Sequence, residues 1–205
     1  MKSYPSITRF ESHKHLNFVG HTFSKIDGSN LRFEWEPKRG WFRFGSRRRL
    51  LTEANETFGM AWQLFLNSLS DSIEKKARRF KWPGVIAFAE FWGENSCGGF
   101  HDDTDKKRLR LIDISVYKRG LMEPSEFVKQ FDSEFELGYL GEKTWDETFV
   151  DAVRDSKLPG MSLEGVVGKV GTGAKRKSLK LKSKAWNEKV VRKFGHEEGQ
   201  KIILS

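Results

Sequence analysis

The sequence predicts an α+β fold with mainly antiparallel sheets flanked by helices, and three observations carry that expectation. Leu31 to Glu36 alternates strictly, with Leu31, Phe33 and Trp35 on one face and Arg32, Glu34 and Glu36 on the other, the period of a half-buried strand. Pro37-Lys38-Arg39-Gly40 then supplies turn chemistry, and Trp41-Phe42-Arg43-Phe44 reads as the return strand of a hairpin. From Glu53 to Leu69 the period changes: Phe58, Trp62, Phe65, Leu66 and Leu69 fall at helical spacing behind Thr52, a suitable N-cap. Strands carry the chemistry-bearing segments and helices fill between them, within one domain spanning residues 1–205.

The remaining elements follow in order. An apolar strand runs up to Lys25. Val85 to Phe91 is a short apolar run after Pro83-Gly84, as expected of a buried strand, and Leu109 to Tyr117 reads as another. Helices are expected at about Pro124 to Phe131 and Trp145 to Asp155, closed by Pro159-Gly160. Glu164 to Val170 and Leu179 to Lys182 read as strands flanking a mobile, basic, Gly-rich hairpin loop from Gly171 to Lys177. A basic helix is expected over about Lys184 to Phe194.

Composition bounds the function. With 37% hydrophobic and 13% aromatic residues in 205, the chain can bury a core despite its 32% charged residues. No apolar run approaches the roughly 18 residues of a membrane span, and the N-terminus lacks the apolar stretch of a signal peptide. Cys97 is the single cysteine, which excludes an internal disulfide and fits a reducing cytoplasm. The net charge of +9 gathers at Arg47 to Arg49, Lys75 to Lys81, Lys106 to Arg110 and Lys175 to Lys193. Such an excess suits a polyanionic partner through counterion release, and equally a basic surface with no partner.

Four segments hold the chemistry. Lys25-Ile26-Asp27-Gly28-Ser29-Asn30 places an amine and a carboxylate beside a tight turn, although Asp-Gly alone is an ordinary hairpin turn. Glu90 lies inside the apolar strand Ala89-Glu90-Phe91-Trp92-Gly93, where it either faces outward at an edge or needs a cation, a metal-bound water or a ribose hydroxyl. Glu164-Gly165-Val166-Val167 sets a carboxylate at the start of a branched apolar strand. Lys180 and Lys182 point to one face of a strand, which is a solvated face or a place for an anion.

Taken in order, Lys-x-Asp-Gly, Ser46-Arg47, Phe-x-Glu, Ile112-Asp113-Ile114, Glu-Gly-Val-Val and Lys-x-Lys resemble the covalent nucleotidyltransferase superfamily of ATP-dependent DNA ligases, RNA ligases and mRNA capping enzymes. The resemblance covers roughly Phe18 to Trp186. The segments at Lys25 to Asn30, Glu90 to Ser96 and Leu179 to Trp186 look most like the RNA ligase branch. The resemblance implies a ligase adenylation domain without an OB-fold, with ATP as AMP donor and Mg²⁺ (or Mn²⁺) as the metal. Lys25 would be the nucleophile that becomes lysyl-AMP with loss of pyrophosphate. Lys180 and Lys182 would clamp the phosphates. Glu164, with Asp27 and Glu90, would hold a hydrated metal ion. Arg47 would contact phosphate or the nucleic acid end, and Asn30 would orient the nucleotide. AMP would pass to a 5′-phosphate end, and a 3′-hydroxyl would displace it to seal the strand.

Several features depart from the family pattern. Ile112 stands where the family usually has an aromatic residue against adenine, so an aliphatic side chain or a nearby ring must cover the base. Phe23-Ser24 replaces a glutamate close before the lysine, so the base edge would be read through backbone groups there. About 20 residues follow Lys184, too few for an OB-fold barrel. The expectation is a minimal ligase or a core relying on a helper protein, similar to stand-alone cores of phage genomes, acting on nucleic acid ends or nicks in the cytoplasm and not on membranes. RNA is the favoured substrate. A DNA ligase sealing nicks, a capping guanylyltransferase and a non-catalytic nucleic-acid-binding module are the alternatives. His101 resembles a histidine of some RNA ligase relatives and is otherwise a surface residue. The exposed cation clusters and tryptophans suit single-strand binding, with most of the seven tryptophans in the core.

Overall fold

The structure is a computed structural model that describes residues 3–94, 96 and 105–204. In chain order the elements are β1 (Thr8–Arg9), α1 (Ser12–His15), β2 (Phe18–Lys25), β3 (Ser29–Glu36), β4 (Gly40–Ser46), β5 (Leu50–Leu51), α2 (Gly59–Ser68), α3 (Ser70–Arg79), β6 (Val85–Trp92) and β7 (Arg108–Val116). They continue with β8 (Gly120–Leu121), α4 (Pro124–Phe131), β9 (Tyr139–Trp145), α5 (Glu147–Arg154), β10 (Gly165–Val170), β11 (Lys177–Lys182), α6 (Lys184–Phe194) and α7 (His196–Leu204). The fold is α+β with mainly antiparallel sheets, as the sequence predicts. No helix among the described residues is long and apolar enough to cross a membrane. His101 and Cys97 lie outside the described residues.

The chain divides into two compact units. The first holds Asp27–Leu137 with Met1–Pro5 and Thr172–Lys175. Its sheet has the order β5-β4-β3-β6-β7-β8, antiparallel throughout. Leu31, Phe33 and Trp35 of β3 are buried as expected, and Phe33 stacks on Phe65 of α2 with ring centroids 3.9 Å apart. The strand is not half-buried, however: Arg32 and Glu34 on its other face are buried too and pair with each other at 3.4 Å. The helix expected from Glu53 begins only at Gly59. Thr52 does not cap it; instead the Asn55 side chain accepts from the Phe58 N–H at 2.8 Å, which holds Glu53 to Phe58 in turns. A second helix, α3, follows where the sequence shows mostly charge, burying only Ser70, Ile73 and Ala77. α4 matches its expectation, with Pro124 in its first turn and Glu123 accepting from Ser125 and Glu126 N–H groups.

The second unit holds Ser6–Ile26, Gly138–Gly171 and Arg176–Ser205. Its sheet has the order β1-β11-β10-β2-β9, antiparallel except for the parallel β1–β11 pair. Trp145 ends strand β9 rather than starting a helix, because its indole donates to Thr22 Oγ1 at 3.0 Å while Asp146 caps α5 through the Phe149 N–H. Under one sheet face, Trp145, Phe149, Val150 and Val153 pack with Phe10, Val166, Leu179 and Leu181. Period-2 geometry therefore turns Phe23, Lys25, Val167, Lys169, Lys180 and Lys182 to the opposite face. α6 spans its expected residues, and α7 beyond it had no forecast in the sequence.

Candidate active site

In the second unit the sheet register sets the chemistry. Lys25 and Lys182 both stand opposite Gly165, on β2 and β11 either side of β10. Gly165 has φ +136, and a Cβ there would lie 2.1 Å from the Leu181 carbonyl oxygen, so only glycine lets the three strands close at this row. The residue before it, Glu164, is 3% exposed and reaches Lys25 Nζ at 2.7 Å and Lys182 Nζ at 3.9 Å through one carboxylate oxygen. Two ammonium groups thus lean on one buried carboxylate. Lys180 occupies the next row, with Val167 and Phe23.

The strand end carrying Lys25 is tied down on both sides. Ser162 Oγ donates to the Lys25 carbonyl, and the Ser162 N–H donates to Ser24 Oγ at 2.8 Å. The Ser24 N–H in turn donates to the Gly138 carbonyl at 2.7 Å. Lys182 is oriented by more than Glu164: its amine lies 4.2 Å from the Trp186 ring centroid and donates to the Ile202 and Ile203 carbonyls at 3.3 Å. Those carbonyls close the last turn of α7, where a cation is favoured.

The first unit carries the other predicted residues. Asn30 stands opposite Glu90 across β3 and β6, and Glu90 stands opposite Arg110 across β6 and β7. Burial pushes the Arg110 guanidinium below its usual value, and the adjacent Glu136 carboxylate partly restores it. The Asp27-Gly28 turn lies against Glu90: a Cβ on Gly28 would come within 2.9 Å of Glu90 Cγ and 2.7 Å of the Phe91 carbonyl oxygen. Ile112 is the extra residue of a β-bulge between Leu111 and Asp113, half-buried. Asp113 is buried and accepts from the Tyr4 hydroxyl at 3.1 Å. Arg47 is exposed on the turn after β4, which the buried Arg32 pins by donating to the Ser46 carbonyl. No three His, Cys, Asp or Glu side chains gather closely enough to hold a metal ion by themselves among the described residues.

Sequence reasoning passed over four residues of the second unit. Lys169 is 4% exposed and lies 4.6 Å from the Phe23 ring centroid. It continues the period-2 row of Gly165 and Val167, a signal that could have found it. Tyr139 packs at a tilt beside Phe23, with ring centroids 5.2 Å apart, and shares a 2.9 Å hydrogen bond with His21. Trp186 ends the segment from Leu179 to Trp186 but has no assigned role there, and Ser162 carries no motif.

No protein-family model and no curated protein sequence matches the chain. Solved structures do match. An archaeal ATP-dependent RNA ligase superposes with a TM-score of 0.68 at 17% identity, over 100% of this chain and 56% of that one. A Naegleria gruberi RNA ligase with pyrophosphate gives 0.63 at 18% identity, over 92% of this chain and 58% of that one. A variant of the same ligase with AMP and Mn gives 0.63 at 17% identity, with the same coverage. The chain therefore spans a little over half the length of the ligases it matches. What it shares with these RNA ligases is a fold.

Proposed function

We propose that the chain is an RNA ligase-like adenylyltransferase whose two units act as one domain, with Lys25 as the residue that takes up AMP. The observation that carries this reading is the buried Glu164 carboxylate 2.7 Å from Lys25 Nζ, with Lys182 on the same oxygen. A lysine attacks phosphorus only as the neutral amine. Glu164 Oε1 stands where it can accept the Nζ proton, and Lys180 and Lys182 carry charge to the phosphates as it spreads during transfer. Nζ bonds to the α-phosphorus of ATP, the bond to the bridging oxygen breaks, and pyrophosphate leaves with that electron pair.

In the first unit Gly28 lets the turn carrying Asp27 close on Glu90, and these hard oxygen donors, like Glu164 in the second unit, suit a divalent ion held through water. Such an ion, when bound, would offset phosphate charge. Phe23 and Ile112 would line the base, Ser24 would offer backbone groups to its edge, Asn30 would orient the nucleotide, and Arg47 would meet a phosphate from its exposed turn. The charge of +9 supports nucleic acid ends as acceptors of the AMP.

The test is to offer ATP, a divalent ion and either nicked RNA, nicked DNA or single-stranded 5′-phosphorylated RNA. The reading predicts an adenylated 5′ end on RNA, with sealing either by the chain alone or only with a helper protein that supplies what the remainder of the longer ligases supplies. Failure to adenylate any 5′-phosphate end would contradict it, and a preference for nicked DNA would move the substrate to DNA.

A further inference from the structure

At the edge of the second unit's sheet, β1 stops at Arg9 while β11 runs on to Lys182. Beside that step lies a cavity of about 220 Å³ lined by Arg9, Arg154, Lys180, Lys182, Lys184 and Asn187. None of its lining residues is acidic. Five cationic side chains around one cavity repel one another, and an anion between them turns that repulsion into attraction. Acids reach these cations from outside the lining: Asp155 holds Lys184 at 2.8 Å, Glu164 lies 3.9 Å from Lys182, and Asp151 reaches Arg154 at only 4.0 Å.

Two further features narrow the anion. Asn187 presents a buried side-chain oxygen with no hydrogen-bond partner among the described residues, an acceptor that a hydroxyl donor would satisfy. The floor is apolar, from Phe10 and Leu181, and suits the carbons of a sugar. Cations for a phosphate, an acceptor for a hydroxyl and an apolar floor between them describe a sugar-phosphate.

We propose that this cavity docks one sugar-phosphate unit of a nucleic acid strand, with Arg9 and Arg154 holding the phosphate and Asn187 accepting from a ribose hydroxyl. This rests on the proposed function in that Lys180 and Lys182 form the wall shared with the transfer site. The strand would then enter along the sheet edge, with its phosphate on Arg9 and Arg154 and with Lys182 as the one group around Glu164 that the cavity shares. Arg9 and Arg154 lie outside the residues assigned to AMP transfer, which makes them separable by substitution.

The experiment measures binding of a labelled, 5′-phosphorylated single-stranded RNA of about ten nucleotides, without ATP, by fluorescence anisotropy across a salt series. For the Arg9→Ala/Arg154→Ala variant the expected result is an affinity lowered by about tenfold or more and a salt slope shallower by about 0.7, one phosphate on a single strand. Labelling of the protein from ATP and its melting temperature should stay at the wild-type level, and Arg9→Lys/Arg154→Lys should keep most of the affinity. Asn187→Leu should weaken RNA binding more than binding of DNA of the same sequence. An affinity for the double alanine variant within twofold of wild type overturns the proposal. So does a parallel loss of labelling from ATP in a variant with unchanged melting, which would assign the cavity to the phosphates of ATP. Absence of label from every protein would overturn the covalent reading alone, since strand binding is read without it.

Discussion

Replacing Glu164 by glutamine removes one charge from a buried cluster of three. At an effective dielectric of about 20, pairs at 2.7 and 3.9 Å attract by about 6 and about 4 kcal/mol, most of which offsets the desolvation of the ions. Removing the carboxylate leaves two ammonium groups facing a neutral amide, a change worth about 3–5 kcal/mol where burial is complete. Lys25 retains 21% side-chain exposure and can swing toward water, so the expected loss is nearer 2–3 kcal/mol. In urea this lowers the unfolding midpoint by about 1 M with an unchanged slope. A double-mutant cycle with Lys25→Met isolates the pair, with a coupling energy of about 1–2 kcal/mol. The same substitution should slow labelling from ATP by at least about a hundredfold. A Glu164→Gln variant within about 0.5 kcal/mol of wild type, or strictly additive single and double variants, would refute the reasoning.

Other substitutions test the surroundings. Ser183 accepts from the Trp186 N–H at 3.0 Å and donates to the Leu163 carbonyl at 2.6 Å, so Ser183→Ala should cost about 1–2 kcal/mol in thermal unfolding. Gly165→Ala, with φ +136 and the Leu181 carbonyl in the way, should abolish labelling from ATP and lower the melting temperature more than Ser183→Ala does. The Lys184 ammonium holds the Asp155 carboxyl below its usual value through a hydrogen bond and charge attraction. With the folded value depressed, that stabilisation is complete above about pH 4, the unfolded value, and fades as pH falls through the folded one. The stability difference between wild type and Lys184→Met should therefore shrink on acidification from pH 5, as read by urea unfolding at each pH.

The sequence makes the strands that carry chemistry legible, because their signals are local. Period 2 places Lys180 and Lys182 on one face, and the turn at Asp27-Gly28 marks the end of the strand bearing Lys25. The contact of Lys25 with Glu164 is not legible, since nothing in either segment states that β2 and β10 pair at Gly165. α3 escapes notice because its exposed face is almost wholly charged and only Ile73 and Ala77 mark the buried stripe. Trp145 suits a helix or a strand by type, and its hydrogen bond to Thr22, far along the chain, decides for the strand. The same holds for Lys182, whose α7 carbonyl partners depend on a helix with a weak apolar stripe.

The central claim is that Lys25 Nζ accepts AMP. The direct measurement is peptide mapping by mass spectrometry after incubation with ATP and Mg²⁺. The account predicts an AMP adduct with the alkali stability and acid lability of a phosphoramidate on the peptide containing Lys25, removed by added pyrophosphate and absent from a Lys25→Ala variant that still unfolds cooperatively. An adduct that persists in Lys25→Ala, or no adduct on the wild-type protein, would contradict it.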